Sequence, residues 1–158
     1  MTSGACSCIE AHFKFSNTEC SKCGSLCKLC TSATVCNTCY DSIHTTITSG
    51  ECSCNQAYFK SSDTACSACG SLCKICTDET LCTTCFDSSH TNLTDGVCSC
   101  IQAFYKSSNT GCSACGSLCE ICTSNTLCIT CFDSSHTNLS SGACSCIEAY
   151  FKFSNTVC

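Results

Sequence analysis

The chain has no proline, no tryptophan and no arginine, and it contains a single methionine. Its seven basic residues are all lysines, scattered among twelve acids for a net charge of -5. A nucleic-acid partner needs a clustered Lys/Arg footprint, and there is none. No apolar stretch approaches the roughly 18 residues of a membrane span, and no apolar signal segment follows Met1. The 44% of residues counted as hydrophobic includes 27 cysteines among 158 residues, so more than a third of that apolar content is sulfur. What remains is too little for one large core. Only 12% of residues are charged.

What is present is cysteine in strict register. Cys6, Cys52, Cys98 and Cys144 recur at a step of 46 residues, as do Cys8, Cys54, Cys100 and Cys146. Each full period carries eight cysteines spaced C-x3-C-x2-C-x5-C-x2-C-x12-C-x-C-x11-C, without insertion or deletion. Residues 52–97 and 98–143 are identical at about three-quarters of positions. Self-similarity at this period marks a quasi-one-dimensional array in which each unit contacts its neighbours. The expected division is a partial repeat over 1–22, repeats over 23–68 and 69–114, and a last repeat over 115–158. The chain opens and closes in mid-repeat, as a window cut from a longer array would.

No 3.6-residue apolar period survives within a unit, so little or no helix is expected. Short candidate strands lie between Ser/Asp/Asn/Gly clusters. Tyr58-Phe59-Lys60 precedes the turn Ser61-Ser62-Asp63-Thr64, and a return strand reaches Cys66; Phe104-Tyr105-Lys106 repeats this before Cys112. A second hairpin is expected from Cys85 through Asp87-Ser88-Ser89-His90, turning at Thr94-Asp95-Gly96 and returning at Cys98. Leu72, Ile75, Leu81 and Phe86, with Leu118, Ile121, Leu127 and Phe132 one period on, would form a small apolar cluster per unit. So few side chains cannot order 46 residues alone, and cross-links must staple the unit.

Two chemistries supply staples. C-x2-C pairs such as Cys36/Cys39 with Cys27/Cys30 have the spacing of tetrahedral zinc sites. Against zinc, C-x-C is an awkward ligand pair, and eight thiolates per unit without excess basic residues leave highly charged sites. A Ser/Thr-rich, lysine-poor surface also suits an oxidising, extracellular setting. Disulfides are therefore the reading, a zinc-binding array the alternative. A redox-active C-x2-C needs a βαβ context that is absent. Spacing alone leaves roughly a hundred pairings open for eight cysteines.

The run Cys23-x3-Cys27-x2-Cys30-x5-Cys36-x2-Cys39-x12-Cys52-x-Cys54-x11-Cys66 resembles the furin-like cysteine-rich repeat of growth-factor receptors, furin-type proteases and R-spondins. The chain looks most like the arrays of such units in cysteine-rich surface antigens of ciliates and flagellates. The resemblance implies pairing of first with third, second with fourth, fifth with sixth and seventh with eighth. Carried over, that gives Cys23–Cys30, Cys27–Cys36, Cys39–Cys52 and Cys54–Cys66, then Cys69–Cys76, Cys73–Cys82, Cys85–Cys98 and Cys100–Cys112. The last repeat gives Cys115–Cys122, Cys119–Cys128, Cys131–Cys144 and Cys146–Cys158, with Cys8–Cys20 at the start. Cys6 is left unpaired.

Other residues recur in step. His44, His90 and His136 follow Asp41, Asp87 and Asp133. An Asp–His pair near a thiol resembles a nucleophile or metal arrangement, but an Asx turn followed by a packed or solvated imidazole explains it more simply. One copy per repeat is poorly suited to catalysis, which needs a single converging pocket. Asn92-Leu93-Thr94 and Asn138-Leu139-Ser140 are N-glycosylation sequons placed on a predicted hairpin turn. Phe13, Phe59, Tyr105 and Phe151 recur beside Lys14, Lys60, Lys106 and Lys152, and one ring of each aromatic pair is expected to pack under its own hairpin.

The expectation is a small disulfide-rich, mostly β protein of tandem short hairpins stacked into an elongated rod. It would be a non-enzymatic extracellular building block of a cell-surface coat or filament, self-associating, without cofactor, and carrying attached glycans. Near-identity of the units is the reason, because a repeated surface offers the same contact at every step. A receptor-type or secreted signalling module is the alternative.

Overall fold

Residues 7–158 are described by a computed structural model; Cys6 lies outside them. Among these residues there is no helix, and all regular structure is in two-stranded antiparallel sheets. The repeats over 23–68 and 69–114 each supply three hairpins in a fixed order; the last, over 115–158, supplies the first two of these, and its closing segment 147–158 forms no strand.

The aromatic hairpins pair His12–Lys14 with Cys20–Lys22, Tyr58–Lys60 with Cys66–Ala68, and Phe104–Lys106 with Cys112–Ala114. Their tips are Ser/Thr turns, in which Ser62 Oγ accepts from the Thr64 amide at 3.2 Å and Ser61 N–H bonds Ala65 O at 3.1 Å. The tight-turn hairpins pair Thr45–Thr48 with Glu51–Cys54, Thr91–Thr94 with Val97–Cys100, and Thr137–Ser140 with Ala143–Cys146. Their two-residue turns have both φ values positive: 53° and 86° at Ser49-Gly50, 51° and 78° at Asp95-Gly96, 51° and 79° at Ser141-Gly142. That is the mirror-image turn whose twist matches paired strands, and it explains glycine at the second position.

The Asp87–His90 segment, expected as strand, is a turn instead; the strand begins at Thr91. Asp87 Oδ1 accepts from the amides of Ser89 and His90, both at 3.1 Å, and this side-chain bonding diverts the backbone from a ladder.

A third hairpin was not visible in the sequence. It pairs Cys27–Ser32 with Val35–Cys39, Cys73–Cys76 with Cys82–Cys85, and Cys119–Ser124 with Leu127–Cys131. The first and last are irregular, their register shifting between Cys27 and Ser32 and between Cys119 and Ser124. These bulges break the period-two pattern that would announce a strand.

The chain divides into two compact units. One comprises Met1–Cys69 and Ile75–Thr80, the other Gly70–Lys74 and Leu81–Cys158. In the first, buried Cys23, Cys27 and Cys36 form a cluster with Cys30 and Cys52 against it. In the second, Cys119, Cys122 and Cys128 are joined by Cys115, Cys144 and Tyr105.

The apolar cluster expected from Leu72, Ile75, Leu81 and Phe86 does not form the core. Ile75 is 51% exposed and Ile121 50%, because both lie on the outward face of a hairpin whose inner face is sulfur. One aliphatic side chain per repeat is buried: Leu26, Leu72 or Leu118. Each holds a left-handed backbone with φ near 62°, unusual for a branched residue. The surrounding bonds fix it. Leu118 N–H donates to Asn155 O at 2.7 Å, and its carbonyl accepts from Phe132 N–H at 2.9 Å; Leu72 does the same with Asn109 and Phe86. These bonds tie the start of one repeat to the aromatic hairpin or segment closing it.

Candidate functional site

The sulfurs are joined as thirteen disulfides. They are Cys8–Cys20, Cys23–Cys30, Cys27–Cys36, Cys39–Cys52, Cys54–Cys66, Cys69–Cys76 and Cys73–Cys82. The rest are Cys85–Cys98, Cys100–Cys112, Cys115–Cys122, Cys119–Cys128, Cys131–Cys144 and Cys146–Cys158. Cα separations run from 5.6 to 6.0 Å, the ordinary span of such a bridge. Cys39–Cys52 and its equivalents join a sulfur hairpin to a tight-turn hairpin, and Cys54–Cys66 joins that hairpin to an aromatic one. The bridges therefore connect successive hairpins as well as closing single ones.

Two bridges stack in each repeat. Cys36 Sγ lies 3.2 Å from Cys52 Sγ, Cys82 Sγ 3.3 Å from Cys98 Sγ, and Cys128 Sγ 3.3 Å from Cys144 Sγ. With Cys27, Cys73 and Cys119 these make triads of sulfurs all within 4.8 Å of one another. Distance alone would suit a metal. The chemistry does not, since the ligand is a thiolate and each of these sulfurs is already bonded to another. For the same reason Cys27 Sγ, 3.2 Å from Leu29 O, donates no hydrogen bond; it is a packed sulfur–carbonyl contact.

The Asp–His pairs are brought together in all three repeats. Asp41 Oδ1 accepts from the amides of Ile43 and His44 at 3.2 and 3.0 Å, while His44 Nδ1 sits 2.9 Å from Oδ2. A carboxylate can only accept, so Nδ1 carries the proton. Asp87–His90 and Asp133–His136 repeat this at 3.0 and 2.9 Å. The His44 backbone amide, then its ring, hold the Asp41 carboxyl below its usual range. For Asp87 and Asp133 the imidazole is the largest cause of the same lowering.

Each imidazole stacks on the leading ring of the next aromatic hairpin or closing segment: His44 on Tyr58, His90 on Phe104, His136 on Tyr150, with centroids 4.3–4.4 Å apart. The histidine carbonyls also accept from the amides of Asn55, Ile101 and Ile147. This constellation is a joint between hairpins. Every cysteine among the described residues is bridged, so the thiolate a Cys/His nucleophile requires is not there.

The aromatic rings make contacts beyond their own hairpins, not the expected packing beneath them. Tyr58, Phe104 and Tyr150 carry the histidine contact, and Tyr105 packs on the sulfur cluster around Cys119. Asn92 and Asn138 are exposed, but they lie within strands rather than on a turn. The actual turns are Asp95-Gly96 and Ser141-Gly142. Asn92 and Thr94, two apart on a strand, share one face. In the first repeat Thr46 holds this position and its hydroxyl donates to Asn55 Oδ1.

Sequence reasoning missed one charged cluster. Asp63 accepts from Lys60 Nζ at 2.8 Å, Lys22 Nζ at 3.2 Å and Ser25 Oγ at 3.3 Å. The two ammonium groups, Lys60 foremost, hold its carboxyl at about 2. The signal was a substitution: its equivalents Asn109 and Asn155 are neutral, as are Ala68 and Ala114 in place of Lys22.

No helix among the described residues is long and apolar enough to cross a membrane. Compared with family models, curated proteins and solved structures, the chain matches none.

Proposed function

We propose that this chain is a non-enzymatic extracellular structural repeat protein, a building block of a cell-surface coat or filament. The observation that carries this reading is the recurrence of one joint. The same disulfides, the same Asp–His–aromatic stack and the same leucine-to-turn backbone bond recur at the 46-residue step. Such a chain extends by copying a unit, and each unit presents an equivalent surface to a neighbour. Thirteen bridges fit an oxidising compartment outside the cell. On this reading the repeats are furin-like units, most like those of the cysteine-rich surface antigens of ciliates and flagellates. Attached glycans are carried at Asn92 and Asn138.

The test is assembly of the secreted, fully oxidised chain. Electron microscopy and sedimentation are expected to show regular concentration-dependent association. A chain that stays monomeric at every concentration with all bridges intact would remove the coat or filament role.

A further inference from the structure

The twenty residues at 1–20 and the twenty at 139–158 are identical at 16 positions. Each matches the corresponding stretch of its neighbouring repeat, 47–66 or 93–112, at only 12. A second order of similarity thus overlies the 46-residue step and returns after three repeats.

Three positions agree in these two stretches and differ from both inner repeats: Ala5 with Ala143, Glu10 with Glu148 and Phe15 with Phe153. At one position near the turn the three aromatic hairpins and the equivalent closing segment carry Phe15, Ser61, Ser107 and Phe153. The two phenylalanines are 68% and 79% exposed. The serines bond across their hairpins, Ser67 and Ser113 Oγ lying 2.8 Å from Ser61 and Ser107 Oγ. Backbone geometry does not require the change. Phe15 N–H bonds Glu19 O and Phe153 N–H bonds Val157 O, both at 3.0 Å, just as Ser61 N–H bonds Ala65 O at 3.1 Å. An exposed ring at this site has no role in closing the turn.

Charge changes with the ring. The phenylalanine-bearing segments carry an acid and a base, Glu10 with Lys14 and Glu148 with Lys152. The serine hairpins have Gln56 and Gln102 in place of the acid. A surface bearing one acid, one base and an exposed ring is complementary to itself. In a two-fold contact the lysine of one copy meets the glutamate of the other, at Glu10 beside the Lys28 of its own chain 3.1 Å away, while the rings pack between them.

We propose that the two phenylalanine-bearing turns, in the hairpin closed by Cys8–Cys20 and the loop closed by Cys146–Cys158, are the contacts through which copies of this chain associate, one such turn against another. This rests on the assembly reading above and gives it a surface. Two such turns on one chain make it bivalent, so weak single contacts combine through avidity. The serine hairpins are spacers that stay soluble.

The test is sedimentation velocity over a concentration series, with any free thiol capped by alkylation and the thirteen bridges verified by mass spectrometry. The wild-type chain is expected to associate. Phe15→Ser with Phe153→Ser copies a side chain that the inner hairpins already fold with, and it should weaken each contact roughly tenfold or more. Ser61→Phe with Ser107→Phe should strengthen association. Lys152→Glu should weaken it, and Lys152→Glu combined with Glu148→Lys should restore it. If the wild-type chain associates and the double serine variant associates equally, this contact is wrong while the assembly reading stands. If the oxidised wild-type chain is monomeric throughout, both fall. Binding of an unrelated protein by the wild-type turns in place of self-association would also overturn the proposal.

Discussion

Leu118→Ala is the sharpest probe of how this fold is held. Leu118 is 3% exposed and is the aliphatic side chain its repeat buries, whereas Ile121, three residues on, is 50% exposed. Truncating a buried leucine removes its transfer energy and leaves a cavity, together about 2–4 kcal/mol. Truncating Ile121 loses about half of its burial, ~1 kcal/mol. Glycine adds a second handle. The Leu118 backbone is left-handed at φ 62°, a conformation that costs roughly 1–2 kcal/mol for any residue with a Cβ and almost nothing for glycine. Leu118→Gly loses one more methyl than alanine, about 0.8 kcal/mol, but relieves that strain. The two variants should therefore be nearly equal, against the usual helix or strand expectation that glycine is worse.

The assay is local. The bridges keep even a denatured chain constrained, so hydrogen exchange followed by mass spectrometry should be read at the amides of Leu118 and Phe132, which flank the site. Loss of protection should follow the order wild type, Ile121→Ala, then Leu118→Ala and Leu118→Gly together. If Ile121→Ala costs as much as Leu118→Ala, the core is a shared apolar cluster after all and the sulfur-core description is wrong. If Leu118→Gly is worse than Leu118→Ala by well over ~1 kcal/mol, the left-handed leucine carries no strain.

Further outcomes follow from the same geometry. A Cβ on Gly142 would stand 2.6 Å from Leu127 Cδ1 at φ +79°, so Gly142→Ala should lower stability by about 1–3 kcal/mol. Gly111→Ala, which meets only Ser108 Oγ at 3.6 Å, should be close to neutral in the same melt. The Asp63 carboxyl is depressed to about 2 by Lys60 and Lys22, so its contribution is complete above the usual carboxylate pKa near 4 and is lost as pH falls toward 2. Asp63 is exposed and its ion pairs are salt-sensitive; in low salt, Asp63→Asn should flatten the acid limb of a thermal-melt series, and an unchanged limb would show the cluster to be inert. Expressed through a eukaryotic secretory route, the chain should lose mass on amide-cleaving deglycosylation, with Asn92→Gln and Asn138→Gln each removing one glycan.

How much of this was legible in the residues divides along physical lines. The aromatic hairpins were readable because Tyr58-Phe59-Lys60 and its copies run straight into a Ser/Thr turn. The tight turns were readable from Asp95-Gly96, a dipeptide that tolerates two positive φ values. The sulfur hairpins were not. Their strands are bulged at Leu29 and Ile121, and the side chains facing inward are cysteines, so apolar alternation gives no sign of them. The left-handed leucine was invisible for a different reason. Its conformation is imposed by partners 37 residues away, Leu72 with Asn109 and Leu118 with Asn155, and no local propensity encodes it. The Asp–His pair was correctly an Asx turn, but its stacking partner lies fourteen residues on, across the tight-turn hairpin.

The interior also explains which substitutions the repeats tolerate. A core built from bridges and backbone bonds places few demands on exposed side chains. Lys74 becomes Glu120 and Thr83 becomes Ile129 while the cysteine register holds. Where two surface residues meet, a contact can be rebuilt from other side chains. Glu10 pairs with Lys28 at 3.1 Å in the first unit; at the same two positions in the second, Gln102 donates to Glu120 at 2.7 Å. The cation is replaced by an acid, and its partner turns from acid to amide, so the contact survives as a hydrogen bond. Thr46 with Asn55 likewise gives way to Asn92 with Ile101, trading a polar contact for an open asparagine. Divergence is therefore free at single exposed sites, and some contacts are rebuilt from other residues while others lapse, as where Asn109 replaces Asp63 and Lys106 keeps the place of Lys60. Phe15 with Glu10, and Phe153 with Glu148, also differ together from the inner repeats, where Ser61 and Ser107 go with Gln56 and Gln102.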